Sequence, residues 1–287
     1  MYQKLTKAFK ALNTVRRKRG LGYTFKLLNY FAIVRKLNPF AKEISSMQKE
    51  LFFQEKQIIG MGDFSGRMKL LMQRETQKRM FPEDLLPFFL ERVEEAKPKK
   101  LTVLDVGSGL ISFLSYGQNA GLFDLIAADV LSEEYKSMLE IYGYDEVLGG
   151  TRLIQSPAEQ LDKHMNPNSC DIVHCSNALD HTNSPRHSLE NMVKVVRPQG
   201  HIIITARSHE GTHEGWEEIH QHDLYLKDNI LWRSGKDGVA TSLLEGLPLS
   251  VVYANDPEGF HDRLVIILRH EENITGLIDE RMSEAFC

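Results

Sequence analysis

The sequence holds only three cysteines, Cys170, Cys175 and Cys287, in 287 residues. That is too few for a disulfide framework and points to a reducing compartment. No apolar run approaches the roughly 20 residues that cross a bilayer as a helix. The basic start lacks a compact apolar stretch with a small-residue cleavage site, so no secretory signal is read there. A cytoplasmic protein is expected. There is no internal repeat and no low-complexity tract. Acidic residues are missing from positions 1–42, which carry eleven Lys or Arg; the rest has 24 basic residues against 39 acidic ones. An arm of one sign hints at an anionic partner. At 42% hydrophobic and 26% charged residues, the chain has the makings of a core, in one large domain or one domain with an appendage.

Residues 1–100 read as a helical, basic N-terminal extension. Leu5, Phe9 and Leu12 recur at helical spacing, and Gly20 ends that segment. Tyr23 to Leu37 is a second candidate, stopped by Pro39, and Ile44, Met47, Leu51 and Ile58 suggest a third. A basic amphipathic segment can lie on an anionic membrane surface, which would place the protein peripherally at an inner membrane face. The plainer reading is packing on the main domain with solvated charges. No nucleic-acid module accompanies the charge, so nucleic acid ranks lower. Gly60–Gly66 is a break. Arg67 to Arg79 and Pro82 to Val93 follow as expected helices, with Pro82 in a first turn.

From Leu101 the pattern changes. Leu101, Val103, Leu104 and Val106 form a short apolar run, which reads as a buried strand. Asp105 stands near its end, Gly107-Ser108-Gly109 follow, and Leu110 to Asn119 reads as a helix stopped near Gly121. A strand, a glycine turn and a helix start bring backbone N–H groups close to a ligand. The acid can accept ligand hydroxyl or amino hydrogens. Further apolar runs fall at Leu125–Val130, Thr151–Gln155, Asp171–Ser176 and His201–Thr205, with helical stretches between most of them. Such alternation implies a mostly parallel sheet that binds ligands at the carboxyl ends of its strands. Leu249–Ala254 and Arg263–Arg269 are the last two expected strands. Within 206–248, Ile230–Trp232 and Val239–Leu243 flank a glycine-rich turn at 234–238, a plausible extra hairpin.

Asp105-Val-Gly-Ser-Gly109 resembles the first motif of class I S-adenosylmethionine-dependent methyltransferases, of the type 11 kind. The family's third glycine is Ile111 here. Asp129, at the end of the second strand beside Val130, matches the acid that holds ribose hydroxyls. Ala158 and Glu159 match the segment beside the adenine, with Pro157 in the usual aspartate position. Cys170-Asp-Ile-Val through Asp180-His181 matches the fourth-strand motif. That places Ser176 and Asn177 beside the methionine part, and Asp180 and His181 where the site opens onto the acceptor. Val195-Val-Arg-Pro-Gln-Gly200 resembles the turn before the fifth strand, with Gln199 replacing a glycine. The resemblance covers residues 101–206 well and the last hairpin loosely. It implies a Rossmann-like α/β fold with a seven-stranded sheet of order 3-2-1-4-5-7-6, strand 7 antiparallel. It also implies a cofactor-binding domain over 101–287, with an insertion at about 206–248.

Residues 209–223 hold four histidines and five acids in fifteen positions. After strand five they should stand over the carboxyl edge of the sheet. His220 and His222, followed by Asp223 and opposed by His181, are candidates for a general base at an acceptor hydroxyl. A divalent metal held by imidazole and carboxylate is a second reading, though the spacing matches no His-Glu-x-x-His helix. A polar surface loop is the third. The expected activity is methyl transfer to a hydroxyl of a sugar, a glycan or another small metabolite. Two rivals are a non-catalytic scaffold on the same fold and a nicotinamide-dependent oxidoreductase. Ser112 counts against the oxidoreductase, because the dinucleotide fingerprint wants glycine there.

Overall fold

A computed structural model describes residues 2–25, 46–60, 65–216, 219–255 and 262–271. Much of the expected second helix, including Leu37 and Pro39, lies outside the described residues. The chain forms two compact units. One comprises residues 1–95, 109–122 and 131–155, and the other residues 96–108, 123–130 and 156–287.

A seven-stranded sheet carries β1 (Leu101–Val106), β2 (Phe123–Asp129), β3 (Arg152–Gln155), β4 (Cys170–Ser176), β5 (Val196–Arg207), β9 (Leu249–Asn255) and β10 (Arg263–His270). Its order is β3-β2-β1-β4-β5-β10-β9. β1 runs parallel to β2 and β4, β4 runs parallel to β5, and β10 is antiparallel to both neighbours. This is the Rossmann-like order expected from the sequence. β1 and β4 are buried almost throughout, as interior parallel strands must be, and so they read as unbroken apolar runs.

In the first unit the helices Tyr2–Arg19 and Ser46–Ile58 form near their expected places, and Gly20 ends the first with φ +84°. The expected helix over Arg67–Arg79 instead divides into Ser65–Leu71 and a 3-10 turn, Arg74–Met80. Thr76 Oγ1 donates to the Leu70 and Gln73 carbonyls, and Gln77 Nε2 donates to the Leu71 carbonyl. These side chains take acceptors that a continuing helix would use. The next helix is Leu86–Ala96, not Pro82–Val93. Pro87 has no N–H to give to an earlier turn, so the helix has to begin beside it.

The helix expected over Leu110–Asn119 is only Ser115–Asn119. Leu110 and Ile111 are drawn into a core with Met68, Leu71, Tyr135 and Met138. Ser112 Oγ accepts the Leu114 N–H and closes a turn before the helix starts. The helix expected directly after Gly109 therefore begins only at Ser115. Glu55 is fully buried in this unit. It accepts from Tyr23 and Tyr142 hydroxyls and pairs with Arg19. Burial, reinforced by the bonds to Glu55, pushes both phenols well above their ordinary range.

In the second unit a separate antiparallel sheet holds β6 (Asp223–Lys227), β7 (Ile230–Ser234) and β8 (Ala240–Ser242). β7 and β8 are the expected hairpin. β6 was not anticipated, although its alternation buries Leu224 and Leu226. Asp228 and Asn229 both adopt positive φ, the two-residue turn that suits the strand twist.

Candidate active site

The carboxyl ends of β1 and β2 are joined locally. Asp105 is paired with Ala127 and Val106 with Ala128 in the strand register. The Gly107 and Ser108 amides then donate to the Ala128 carbonyl at 2.8 and 3.2 Å. The glycine turn is thereby fixed against the strand that ends in Asp129. Gly107 has φ +66°, and a Cβ there would lie 2.2 Å from Ala178 Cβ, so only glycine fits. Gly109 follows with φ +65°. Asp129 is half-buried at the end of β2, and Val130 is exposed. The Ser156 amide donates to the Asp129 carbonyl, which brings the loop carrying Ala158 to the same strand end.

Asp105 does something the sequence did not reveal. Its carboxylate is buried and lies 2.7 Å from His174 Nδ1. The two residues are cross-strand neighbours in β1 and β4. A carboxylate accepts, so the imidazole donates. One oxygen of the carboxylate expected to meet a ligand is thus held in an internal pair that ties two strands. Glu159 is likewise used within the chain: its Oε1 accepts the Asn183 and Ser184 amides at 2.8 and 3.3 Å. They lead into the helix Pro185–Val195, capped by Ser184. Ala158 is buried at the start of the 3-10 turn Ala158–Lys163.

At the end of β4, Ser176 Oγ accepts from Thr205 Oγ1 at 2.8 Å, and the Asn177 amide donates to the Thr205 carbonyl at 2.8 Å. Asn177 has φ +46°, which turns the chain sharply out of the strand. Asp180 and His181 come next, in a 3-10 turn over Leu179–His181. Here the structure brings three predicted residues together. His220 Nδ1 and His181 Nε2 each lie 3.2 Å from Asp180 Oδ2, and the two ring nitrogens are 3.2 Å apart. Asp180 is buried, whereas both imidazoles are partly open.

Burial pushes the Asp180 carboxyl up, but hydrogen bonds from His181 and His220 outweigh it and hold it well below the usual carboxylate range. The same bond raises His220 against the opposing effect of its own burial. Glu210 is raised by burial and then by the Asp180 charge.

The other histidines of the 209–223 stretch do not join the cluster. His222 Nε2 donates to the Thr182 carbonyl at 3.0 Å, and its Nδ1 faces Arg233 Nη1 at 3.4 Å. Both ring nitrogens are occupied. Burial, then the Arg233 charge, lowers its affinity for a proton. The base role expected of His222 does not fit these contacts. Asp223 accepts from the Thr212 amide and hydroxyl and pairs with His209. It organises the loop instead of orienting a base. His213 is exposed beside Glu214.

The strand order, the glycine turn beside an acid-terminated β2 and the turn after β4 define a cofactor-binding methyltransferase domain. Residues 104–204 match the model of the methyltransferase domain family. Over that stretch the chain is a class I S-adenosylmethionine-dependent methyltransferase domain, a fold whose cofactor is S-adenosylmethionine. The residues present fit that group: Gly107 and Gly109 turn the backbone at the end of β1, a Cβ at Gly109 would meet only open space, and a half-buried carboxylate, Asp129, stands at the end of β2 where the resemblance expects a ribose contact.

The ubiquinone biosynthesis O-methyltransferase of Aliivibrio fischeri strain ATCC 700601 / ES114 is 28% identical over 122 residues, 42% of this chain and 49% of that protein. The chain spans about half the length of the curated relatives it matches. Among solved structures, the PH0226 protein of Pyrococcus horikoshii OT3 is similar at 14% identity and TM-score 0.46, over 70% of this chain and 93% of that one. The 1,6-didemethyltoxoflavin-N1-methyltransferase of Burkholderia thailandensis is similar at 15% identity and TM-score 0.41, over 72% and 90%. No helix among the described residues is long and apolar enough to cross a membrane.

Proposed function

We propose that the protein transfers a methyl group from S-adenosylmethionine to a hydroxyl oxygen of a small hydroxylated acceptor, a sugar or glycan unit among them. The observation that carries this reading is the Asp180–His181–His220 cluster just beyond β4, past the turn assigned to the methionine end. The O-methyltransferase named among the relatives supports oxygen as the methylated atom. S-adenosylmethionine supplies a methyl on a positively charged sulfur, so the protein has chiefly to align the acceptor oxygen with the C–S bond. A neutral hydroxyl must also lose its proton as the new C–O bond forms. Asp180 holds His220 through Nδ1, which sets the ring to take that proton on Nε2. This is the orienting logic of a carboxylate–imidazole pair.

His220 must be neutral to act as base, and Asp180 raises its affinity for protons. In metal-free protein, kcat/KM for an acceptor found by screening should therefore rise with pH through a limb above the ordinary histidine value of about 6.5. Asp180, His181, Glu210 and Glu214 are the charged or titratable groups acting on that ring. Asp180→Asn should move the limb to lower pH and lower kcat by at least about 100-fold. A limb unmoved by the substitution would place the base elsewhere.

Cofactor binding is tested separately. Asp129→Ala should weaken S-adenosylhomocysteine binding by about tenfold or more, because two ribose hydroxyls lose a charged acceptor. Calorimetric titration reads this directly, and wild-type affinity in the variant would remove Asp129 from the site.

A further inference from the structure

Three potential ligand atoms converge on one point in the second unit: Asp180 Oδ2, His181 Nε2 and His220 Nδ1, each 3.2 Å from the other two. Hydrogen bonding alone satisfies this triangle poorly. Asp180 Oδ2 can accept from both rings. But if both nitrogens carry hydrogens, two donors face each other. If one does not, its lone pair points at a neighbour that is already committed to the carboxylate. A cation resolves the conflict, because all three atoms then present lone pairs to a shared positive centre. The spacing agrees. Ligand atoms about 2.1 Å from one ion are about 3.0 Å apart at a right angle and about 3.4 Å apart at a tetrahedral angle.

A second observation points the same way. Asp180 Oδ1 is also buried and has no hydrogen-bond partner among the described residues. Asp180 as a whole is only 2% exposed. An orphaned carboxylate oxygen is costly to bury. It is relieved by acting as a further ligand or by accepting from water held on an ion. The side chains of His181 and His220 are 29% and 24% exposed, against 3% for that of Asp180, so solvent reaches the cluster at its imidazoles. Together the three residues form one group whose ligand atoms all lie within 4.8 Å of one another, close enough to share a metal ion.

We propose that Asp180, His181 and His220 form a binding site for a divalent transition cation, with coordination positions left open on the imidazole side. Two imidazoles and one carboxylate suit zinc, cobalt, iron or nickel. Magnesium prefers oxygen ligands and keeps its water, and it should bind weakly here. The proposal stands on the geometry of the cluster. Only its catalytic consequence rests on the methyl-transfer reading. With the cation in place His220 is a ligand and no longer the base. The acceptor hydroxyl then loses its proton to solvent more readily, because the ion lowers its pKa. Acceptors with two neighbouring oxygens, such as vicinal diols, gain a second point of attachment.

The test uses the full chain, stripped with chelator and titrated with zinc and cobalt(II) chlorides, beside a titration with S-adenosylhomocysteine. The expected result is one cation per chain, visible cobalt ligand-field bands, and at least tenfold weaker binding in Asp180→Asn, His181→Ala and His220→Ala. His187→Ala, on an exposed helix position, should bind as the wild type does. No saturable cation binding, or full binding in all three cluster variants, would overturn the proposal. A measurement on the unaltered protein guards against variants that misfold. Zinc should protect His181 and His220, but not His187, from diethylpyrocarbonate in mass-spectrometric mapping. Equal modification with and without zinc would also overturn it. S-adenosylhomocysteine binding without cation binding sinks this inference alone; cation binding without S-adenosylhomocysteine binding sinks the methyl-transfer reading alone.

Discussion

Gly107→Ala should lower the thermal midpoint by about 5–10 °C and weaken S-adenosylhomocysteine binding by at least about tenfold. Two penalties combine. Gly107 has φ +66°, and holding alanine there costs about 1–2 kcal/mol. The added methyl would sit 2.2 Å from Ala178 Cβ, and overpacking of this kind costs about 1–3 kcal/mol more. The backbone has to move, and with it the amides that Gly107 and Ser108 direct to the Ala128 carbonyl. A double-mutant cycle separates the terms. Gly107→Ala with Ala178→Gly removes the collision and leaves the dihedral strain, so stability should return in part. If the single variant binds S-adenosylhomocysteine as tightly as wild type does, the glycine turn does not hold the cofactor.

His174→Ala should destabilise the protein by about 3–5 kcal/mol, the usual cost of breaking a buried pair from one side. The Asp105 carboxylate, 2.7 Å from His174 Nδ1, is too buried for bulk water to replace the lost donor. The His174 ring is itself fully buried, and its Nε2 has no partner among the described residues. The partner substitution gives the sharper result. Asp105→Val combined with His174→Val suits two neighbouring buried strands and leaves no charge behind, so most of the stability should return. Thermal melts of the single and double variants check this. If the double variant also keeps S-adenosylhomocysteine binding, Asp105 serves the fold alone; if it is stable yet fails to bind, Asp105 also serves the cofactor. Equal losses in the single and double variants would show that the pair is not what ties β1 to β4.

Most of the sheet was legible because its signals are local. The apolar runs of β1, β4 and β10 announce strands buried on both faces. The acid before Gly107-Ser108-Gly109 announces a nucleotide turn. Helix limits were harder to read. Leu110 and Ile111 have good helical character but leave the helix to fill a core formed with Met68 and Met138, and tertiary packing outweighs propensity. β6 was hidden because its first residue closes the histidine-rich stretch that reads as a loop. The signal that would have found it is the Asp228-Asn229 pair, which turns a short alternating run back into β7.

The site divides along the same line. The sequence by itself determined the seven strands of the main sheet, the glycine turn and the candidate residue types, since each depends on neighbours within a few positions. It could not decide which of five histidines meet. His181 and His220 are 39 positions apart, and Asp180 and His220 are 40 apart. Their convergence follows from how the loop after β5 folds back on the end of β4. His222, two residues from His220, is turned to Thr182 and Arg233 by the same fold. Only the tertiary structure decided that division, because a side chain's chemistry here is set by the groups packed against it, and the chain supplies those from distant segments.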